Sequence, residues 1–310
     1  MRRFAPLVAG SVVLAGAVLT AQALPRTRSV YVSAMNDQGH AVLDLAASEI
    51  SVKEDGKARP VVHITPAAEK LSIAVLVDDG GVGMNDFRIG IAAFMNRLFE
   101  QAEFALVGIS EQNRTIVDYS TQNTALANGI RSLIPRNVNG GGHLVEAVLD
   151  AATVMARREV RRPVILIVTN QGREYGDLPA SRAMDQVARV GASLYVVEVL
   201  RPSGQSRAPG ERYDAVAAGS QESEQASSDR ARNSILGDGP RLTGGRHEEA
   251  IATADVPRAL AAMAEELAGQ CLLTYETGAK LGAAAKIEVS SSRRGIKIRA
   301  PGRAMDRQGR

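Results

Sequence analysis

The sequence has 310 residues, of which 45% are hydrophobic. This is enough for one large domain or two small ones, so stability does not require disulfides or a metal. The net charge is +3, and it falls to +1 when Arg2 and Arg3 are left out. Only 4% of the residues are aromatic. No basic stripe interleaved with aromatic residues occurs, which argues against a nucleic-acid partner. The single cysteine, Cys271, lies in an apolar run and is expected to be a buried small hydrophobic residue.

The first 23 residues have the pattern of a signal peptide. Arg2 and Arg3 precede an uncharged apolar run, and Ala21-Gln22-Ala23 is a small-x-small cleavage pattern, so cleavage is predicted after Ala23. The alternative is a retained membrane anchor, but the run contains Pro and Gly and is shorter than the roughly 20 apolar residues of a spanning helix. We therefore expect a periplasmic or secreted protein with no membrane span after cleavage.

Residues 24–69 are predicted to form an N-terminal β segment. Strand-like stretches at Ser29–Ala34, Ile50–Lys53 and Pro60–Ile64 are separated by polar turn signals.

Residues 70–270 alternate between strand-like and helix-like patterns. Leu71–Val77 is almost continuously apolar, as in a parallel strand with helices on both faces, and Phe87–Phe99 has helical apolar spacing. The later strands are predicted at Phe104–Ser110, Arg114–Asp118, Val164–Thr169 and Ala192–Leu200, and the later helices at Thr121–Ile134, Leu144–Arg157, Leu178–Val190 and Val256–Gly269. The alternation predicts an α/β fold with a doubly wound, mostly parallel sheet, and Arg114–Asp118 is a candidate antiparallel edge. Residues 201–230 are rich in Ser, Gly, Pro and charge, and are expected to be a flexible loop.

The C-terminal segment, residues 271–303, contains three further strand candidates. They are Leu272–Tyr275, Lys286–Ser290 and Ile296–Arg299, and we expect them to pair with residues 24–69 into a small flanking β domain. Residues 304–310 are expected to be a disordered tail.

Several motifs in the expected order resemble those of von Willebrand factor A-like domains. Asp78 ends the first core strand before a Gly-rich loop, Gly140–Ala147 is similar to the Gly-Gly-Thr-x-Leu-x-Asp-Ala segment of the family, and 164–172 resembles its strand ending in Asp-Gly. The flanking segments 48–57, 242–246 and 294–299 resemble a bacterial exported subgroup of these proteins. The similarity spans residues 29–302 and implies a Rossmann-like fold with a binding role.

The resemblance also implies a divalent cation at the metal-ion-dependent adhesion site, held by two Ser, a Thr and Asp residues. Asp78 matches the first Asp, but the two Ser positions are Gly80 and Val82, the Thr position is Gly142 and the second Asp position is Asn170. Hard cations need several oxygen ligands, so we expect no metal and no cofactor. A calcium loop around Asp78, Asp79, Asn85 and Asp86 lacks the required spacing, and these acidic residues are expected to be solvated.

The predicted function is protein binding by a degenerate adhesion site, with another envelope or extracellular protein as the partner. The residues expected to form the partner-binding loops are Asp78, Asp79, Gly80, Val82, Gly142, His143, Asn170 and Arg173. No nucleophile elbow, zinc-protease motif or phosphate-binding loop occurs, so no catalytic residue is predicted. Two alternatives remain: a hydrolase of unassigned chemistry centred on Asp78 and Asp79, and a structural scaffold without a ligand.

Overall fold

Alternating strands and helices form the centre of the protein, and antiparallel strands from both ends of the chain flank it. The computed structural model describes residues 26–79, 83–110, 112–136, 141–200, 226–278 and 284–304. The predicted signal peptide and residues 305–310 lie outside the described residues. So does 201–225, and the remaining part of the predicted flexible loop, 226–230, is helical.

The described strands are β1 (Thr27–Met35), β2 (Ile50–Glu54), β3 (Lys57–Arg59), β4 (Val61–Pro66), β5 (Leu71–Asp78), β6 (Ala102–Ile109), β7 (Arg114–Ser120), β8 (Gly141–Gly142), β9 (Arg162–Asn170), β10 (Arg173–Glu174), β11 (Ser193–Val199), β12 (Arg246–Ala250), β13 (Gln270–Glu276), β14 (Ala285–Ser291), β15 (Lys297–Arg299) and β16 (Arg303–Ala304). The helices are α1 (Met84–Leu98), α2 (Asn123–Arg131), α3 (Leu144–Arg157), α4 (Ala180–Val190), α5 (Gly239–Thr243) and α6 (Val256–Ala268). Residues 226–243 are helical throughout, with a π-helical stretch at Ser234–Asp238 leading into α5.

The central sheet has the strand order β12-β11-β9-β5-β6-β7 in the described residues. All neighbours are parallel except β6 and β7, which are antiparallel as the sequence predicts for the edge. When these strands are numbered along the chain from β5 and read from the β7 edge, the order is 3-2-1-4-5-6, the doubly wound arrangement. The predicted α/β fold class is therefore confirmed. In such sheets ligands bind at the carboxyl ends of the strands where the order reverses, which here is the end of β5 and β9.

Strand β5 explains why the helices cover both faces of the sheet. All eight of its residues are buried. Ile73 and Val75 pack in a cluster with α1, α2 and α6, whereas Ala74 and Leu76 pack in a second cluster with α3 and α4. Because successive strand residues point to opposite faces, a continuous apolar run needs a helical layer on each side.

The flanking strands form two antiparallel sheets with a shared core. One sheet has the order β15-β1-β13-β4 and the other β16-β14-β2-β3. Their inward residues, such as Val32 from β1, Val52 from β2 and Leu273 from β13, pack in a single cluster. Strands from the N-terminal and C-terminal segments thus build one β sandwich, as the fold prediction expects. Strand β12 was not predicted, because its residues, Arg-His-Glu-Glu-Ala, lack an apolar pattern.

Candidate functional site

Asp78 lies at the last position of β5, at the point where the strand order reverses. Its side chain is 1% exposed. Oδ2 accepts a hydrogen bond from the Thr169 hydroxyl at 3.0 Å and another from the backbone amide of Asn170 at 3.2 Å. Since β5 and β9 are neighbouring parallel strands, their ends bring Asp78 and Asn170 together, as expected. Thr169 was not predicted as a site residue, although its hydroxyl group contacts Asp78.

An arginine from the helical segment 226–243 reaches into the same place. Arg232 is 5% exposed, and its Nη2 donates to the Thr169 hydroxyl and to the Asn170 carbonyl, each at 3.1 Å. The hydroxyl of Thr169 therefore links the guanidinium to the Asp78 carboxylate. The protein itself supplies a positive charge at the end of β9.

Asp79 is neutralised by a second arginine. Its side chain has no exposed surface, and both Nε and Nη2 of Arg136 lie 2.6 Å from Oδ2. Burial raises the pKa of Asp79, and the hydrogen bond and charge of Arg136 offset only part of this rise. Within the described residues, Oδ1 of Asp79 is buried without a hydrogen-bond partner.

The expectation that the acidic residues after β5 are solvated is wrong for Asp78 and Asp79. Both residues are buried instead. The backbone amide of Asp79 donates to the Ile109 carbonyl at 3.2 Å, and its carbonyl accepts from the Arg136 amide at 2.8 Å. These bonds hold Asp79 against β6 and the segment that follows α2.

Gly142 lies beside the end of β6, close to Ser110. An added Cβ at Gly142 would lie 2.8 Å from the Ser110 carbonyl oxygen and 2.9 Å from its Cα. The amide of His143 donates to that same carbonyl at 3.2 Å, which keeps the two segments close. The threonine that the resemblance assigns to this position would therefore require the backbone at Ser110 to move.

Among the described residues, the exposed part of this edge includes His143, Arg173 and Tyr175. Arg173 is exposed, Tyr175 is 39% exposed, and the His143 side chain is 32% exposed. The rings of His143 and Tyr175 lie 6.4 Å apart between centroids. Strand β10 carries Arg173 and pairs with β8, which places it beside Gly141. Of the predicted site residues, Gly80 and Val82 lie outside the described residues.

Two glutamates that were not predicted as site residues lie next to His143. Glu174 is 6% exposed, and its Oε2 accepts a hydrogen bond from the Leu144 amide at 3.1 Å. Burial and the neighbouring charge of Glu146 raise the pKa of Glu174 to about 7. The sequence offers little basis for predicting Glu174 as a site residue, because it lies in a short polar stretch after β9 that has no periodic pattern.

No protein-family model and no curated protein matches the sequence. Among solved structures, the chain is similar to the von Willebrand factor type A protein from Catenulispora acidiphila, with 10% identity and a TM-score of 0.47 over 94% of this chain and 76% of that one. It is also similar to the conserved hypothetical protein BatB from Bacteroides thetaiotaomicron, with 13% identity and a TM-score of 0.42 over 64% and 97% of the two chains. A third similar structure is the PilB minor pilin from Streptococcus sanguinis, with 11% identity and a TM-score of 0.40 over 66% and 62%.

The fold class follows from the chain's own strand order, with an antiparallel edge and helices on both faces. This doubly wound α/β fold class is the one that the sequence resemblance implies. Identities this low carry no function from those proteins to this one. In the described residues, no helix combines the length and apolarity needed to cross a membrane.

Proposed function

We propose that the chain is an exported interaction module whose von Willebrand factor A-like domain binds a protein partner without a divalent cation at Asp78. The observation that carries this proposal is the internal neutralisation of the strand-end carboxylates. Asp79 is paired with Arg136 at 2.6 Å, and Asp78 is linked to Arg232 through the Thr169 hydroxyl. Partner binding is proposed at the exposed loops around these buried groups.

The residues at the strand ends fit a hard divalent cation poorly. Mg²⁺ needs near-octahedral oxygen ligands, and Oδ2 of Asp78 already accepts two hydrogen bonds. The guanidinium of Arg232 would repel a cation bound beside Thr169. At Gly142 the close approach of Ser110 leaves no room for the threonine side chain that would supply a further oxygen. No step of the proposed recognition therefore passes through a cation at Asp78.

The surface beside this buried network has the composition of a protein-binding site. Tyr and Arg are enriched among residues that dominate interface energies, because they combine a large apolar area with hydrogen-bonding groups. Tyr175, Arg173 and His143 present these chemistries next to one another. We define them as the recognition surface, and its predicted partner is another envelope or extracellular protein.

A hydrolase centred on Asp78 and Asp79 has less support than a binding module. A catalytic carboxylate must reach the reacting atoms of a substrate, whereas these two side chains are 1% and 0% exposed. We therefore propose that the loop has no catalytic role. Alanine replacement of both aspartates tests this. A hydrolase centred on these residues would lose its hydrolytic activity in the folded double variant, whereas an activity that survives the replacement would exclude a catalytic role for them.

Photo-crosslinking from defined positions tests the binding proposal. A photoreactive amino acid is introduced at position 175 in the recognition surface or, as the control, at position 43 in the β sandwich, where Leu43 is 50% exposed. The full chain is expressed in its native envelope and irradiated in magnesium-free buffer or with millimolar Mg²⁺. We expect a discrete adduct from position 175 but not from position 43, in equal yield in both buffers.

Two companion variants sharpen the result. Arg173→Ala should reduce the adduct formed from position 175 by at least about tenfold if Arg173 is an energetic anchor of the interface. Arg182→Ala, an exposed arginine on α4, serves as the matched control and should leave the adduct unchanged. Equal labelling from positions 175 and 43 would refute a specific recognition surface, and an adduct that needs Mg²⁺ would refute metal-free recognition.

A further inference from the structure

His143, Glu146 and Glu174 bring three metal-binding groups together at one end of α3. His143 precedes the first residue of α3, Glu146 lies in its first turn and Glu174 ends β10. One ligand atom from each lies within 4.8 Å of the others, and Nδ1 of His143 is 3.5 Å from Oε1 of Glu146. Ligand atoms on a tetrahedral zinc ion, at bond lengths of about 2.0 Å, are separated by roughly 3.3 Å. The His143 and Glu146 atoms are thus already near the required separation.

One carboxylate oxygen in this cluster is unsatisfied. Oε2 of Glu146 is buried and has no hydrogen-bond partner among the described residues. A buried acceptor without a partner is destabilising, so a bound cation would relieve a specific penalty. The Glu174 carboxylate is more than nine-tenths buried and lies close to that of Glu146. Two neighbouring carboxylates, one of them this deeply buried, favour a shared positive charge.

The surrounding backbone holds the glutamates in place. Glu174 accepts hydrogen bonds from the amides of Leu144, at 3.1 Å, and Gly176, at 3.3 Å. Any side chain at position 176 would collide with the Glu146 carboxylate, so the glycine there provides the space that Glu146 occupies. Contacts of this kind orient ligands before a metal binds, which strengthens binding.

The donor set selects the class of ion. An imidazole nitrogen with two carboxylates suits zinc and similar transition metals, whereas Mg²⁺ prefers oxygen alone. Three protein ligands leave a fourth position open. The partial exposure of His143, 32%, and of Glu146, 25%, provides a path for the ion from solvent.

We propose that His143, Glu146 and Glu174 form a binding site for one zinc-class transition metal ion. The site uses none of the groups that neutralise Asp78 and Asp79, namely Arg136, Arg232 and Thr169. It shares His143 with the recognition surface but does not depend on whether that surface binds a partner. Both proposals can hold, since one concerns a hard cation at Asp78 and the other a transition metal at α3.

Metal titration of the purified, tag-free chain tests the site. The protein is stripped with chelator and dialysed, and then titrated calorimetrically with ZnCl₂ or MgCl₂. Binding of Co²⁺ is followed by its visible absorption, which reports the ligand geometry. We expect one Zn²⁺ per chain, no comparable heat with Mg²⁺, and a Co²⁺ spectrum of low coordination number.

Variants assign the ion to these residues. Glu174→Gln and His143→Ala should each weaken Zn²⁺ binding by at least about tenfold. The matched control is His247→Ala, because Nε2 of His247 lies 3.6 Å from Glu198 in another histidine–glutamate pair. His247→Ala should bind Zn²⁺ as the unmodified chain does. Circular dichroism of each metal-free variant establishes that it is folded before titration.

The proposal is overturned if the unmodified chain binds no Zn²⁺ at micromolar concentrations, or if Glu174→Gln and His143→Ala bind it unchanged. A greater loss of Zn²⁺ affinity in His247→Ala than in the cluster variants would also overturn it. If the cluster variants do not fold, His143→Gln and Glu146→Gln supply the same comparison. These measurements use no partner, so their failure is separate from failure of the crosslinking experiment.

Discussion

The guanidinium of Arg136 lies 2.6 Å from Oδ2 of Asp79, a carboxylate with no exposed surface. The same two residues are joined a second time through their backbones, since the Arg136 amide donates to the Asp79 carbonyl at 2.8 Å. The segment after α2 is thereby attached to the end of β5. The ion pair replaces solvation that Asp79 loses on folding, and its removal should be costly.

Replacement of Arg136 by Met is expected to destabilise the protein by about 1–3 kcal/mol, because it leaves a buried carboxylate without its charged partner. Arg131→Met, on the exposed side of α2, is the control and should change stability by less than about 0.5 kcal/mol. Urea unfolding followed by circular dichroism measures both. Adding Asp79→Asn to Arg136→Met should recover part of the loss, since the buried charge is then absent. Equal stability of the two arginine variants would contradict a structural role for the pair.

Arg232→Met should lower the free energy of unfolding by about 1–3 kcal/mol, because the Thr169 hydroxyl and the Asn170 carbonyl each lose a buried donor. Arg230→Met is the matched control on the same helical segment, where the exposed Arg230 donates to the nearby Ala226 carbonyl. Hydrogen exchange provides a local measurement, and the Asn170 amide should exchange faster in Arg232→Met. Unchanged exchange at Asn170 would show that Arg232 does not support the Asp78 site.

Gly142→Thr, which would return the hydroxyl expected from the family resemblance, should not create a Mg²⁺ site. An added Cβ lies 2.8 Å from the Ser110 carbonyl oxygen, so the substitution forces the backbone to shift at a cost of about 1–3 kcal/mol. Gly237→Ala is the control, because an added Cβ there meets no atom within 4 Å. Thermal unfolding with and without Mg²⁺ measures both effects. A Gly142→Thr protein that is fully stable and gains stability with Mg²⁺ would contradict this prediction.

The β sandwich should lose stability at acidic pH through Glu54. Burial alone would raise the pKa of Glu54, but hydrogen bonds from Thr277 and Gly278 and the charges of Arg28 and Arg59 hold it below the ordinary value. A carboxyl whose pKa is lower in the folded state stabilises the protein above its unfolded pKa, near 4.3. That contribution is lost as pH falls through the folded pKa.

Urea unfolding between pH 3 and pH 7 measures this dependence. Glu54→Gln should be less stable at neutral pH and show a shallower decline toward acid. Glu276→Gln, in the neighbouring β13 and without a resolved ion pair in the described residues, serves as the control and should follow the unmodified chain. An identical pH dependence in all three proteins would exclude Glu54 as a source of acid sensitivity.

The sequence predicts the core strands and helices well because burial leaves a periodic trace. Leu71–Val77 is apolar at every position except Ser72, and the structure buries it from both sides. Helix α3 begins at Leu144 and ends at Arg157, as its apolar spacing predicts. The short strands β8, β10 and β12 were not predicted. They have two to five residues, mostly polar or glycine, and therefore show no alternation of apolar and polar side chains.

Some of the contacts at the strand ends could be predicted from the sequence. The ends of parallel strands meet at one edge, so Asp78 and Asn170 could be placed together from strand order alone. Thr169 stands next to Asn170 in the sequence, but the hydroxyl positions that the resemblance implies are 80, 82 and 142. Glu146 and Glu174 come from separate segments, and their proximity depends on how β10 returns to pair with β8.

The amino-acid sequence by itself determined the fold class, because apolar periodicity dictates which faces are buried. It also predicts that the loop after β5 lacks the hydroxyl ligands of a hard-cation site. Only the tertiary structure decided which groups neutralise Asp78 and Asp79. Arg136 and Arg232 reach the strand ends from segments distant in the chain, along paths that no local pattern encodes. The free energy of burying a carboxylate depends on such neighbours, and so the electrostatics of this edge emerge only when the chain is folded.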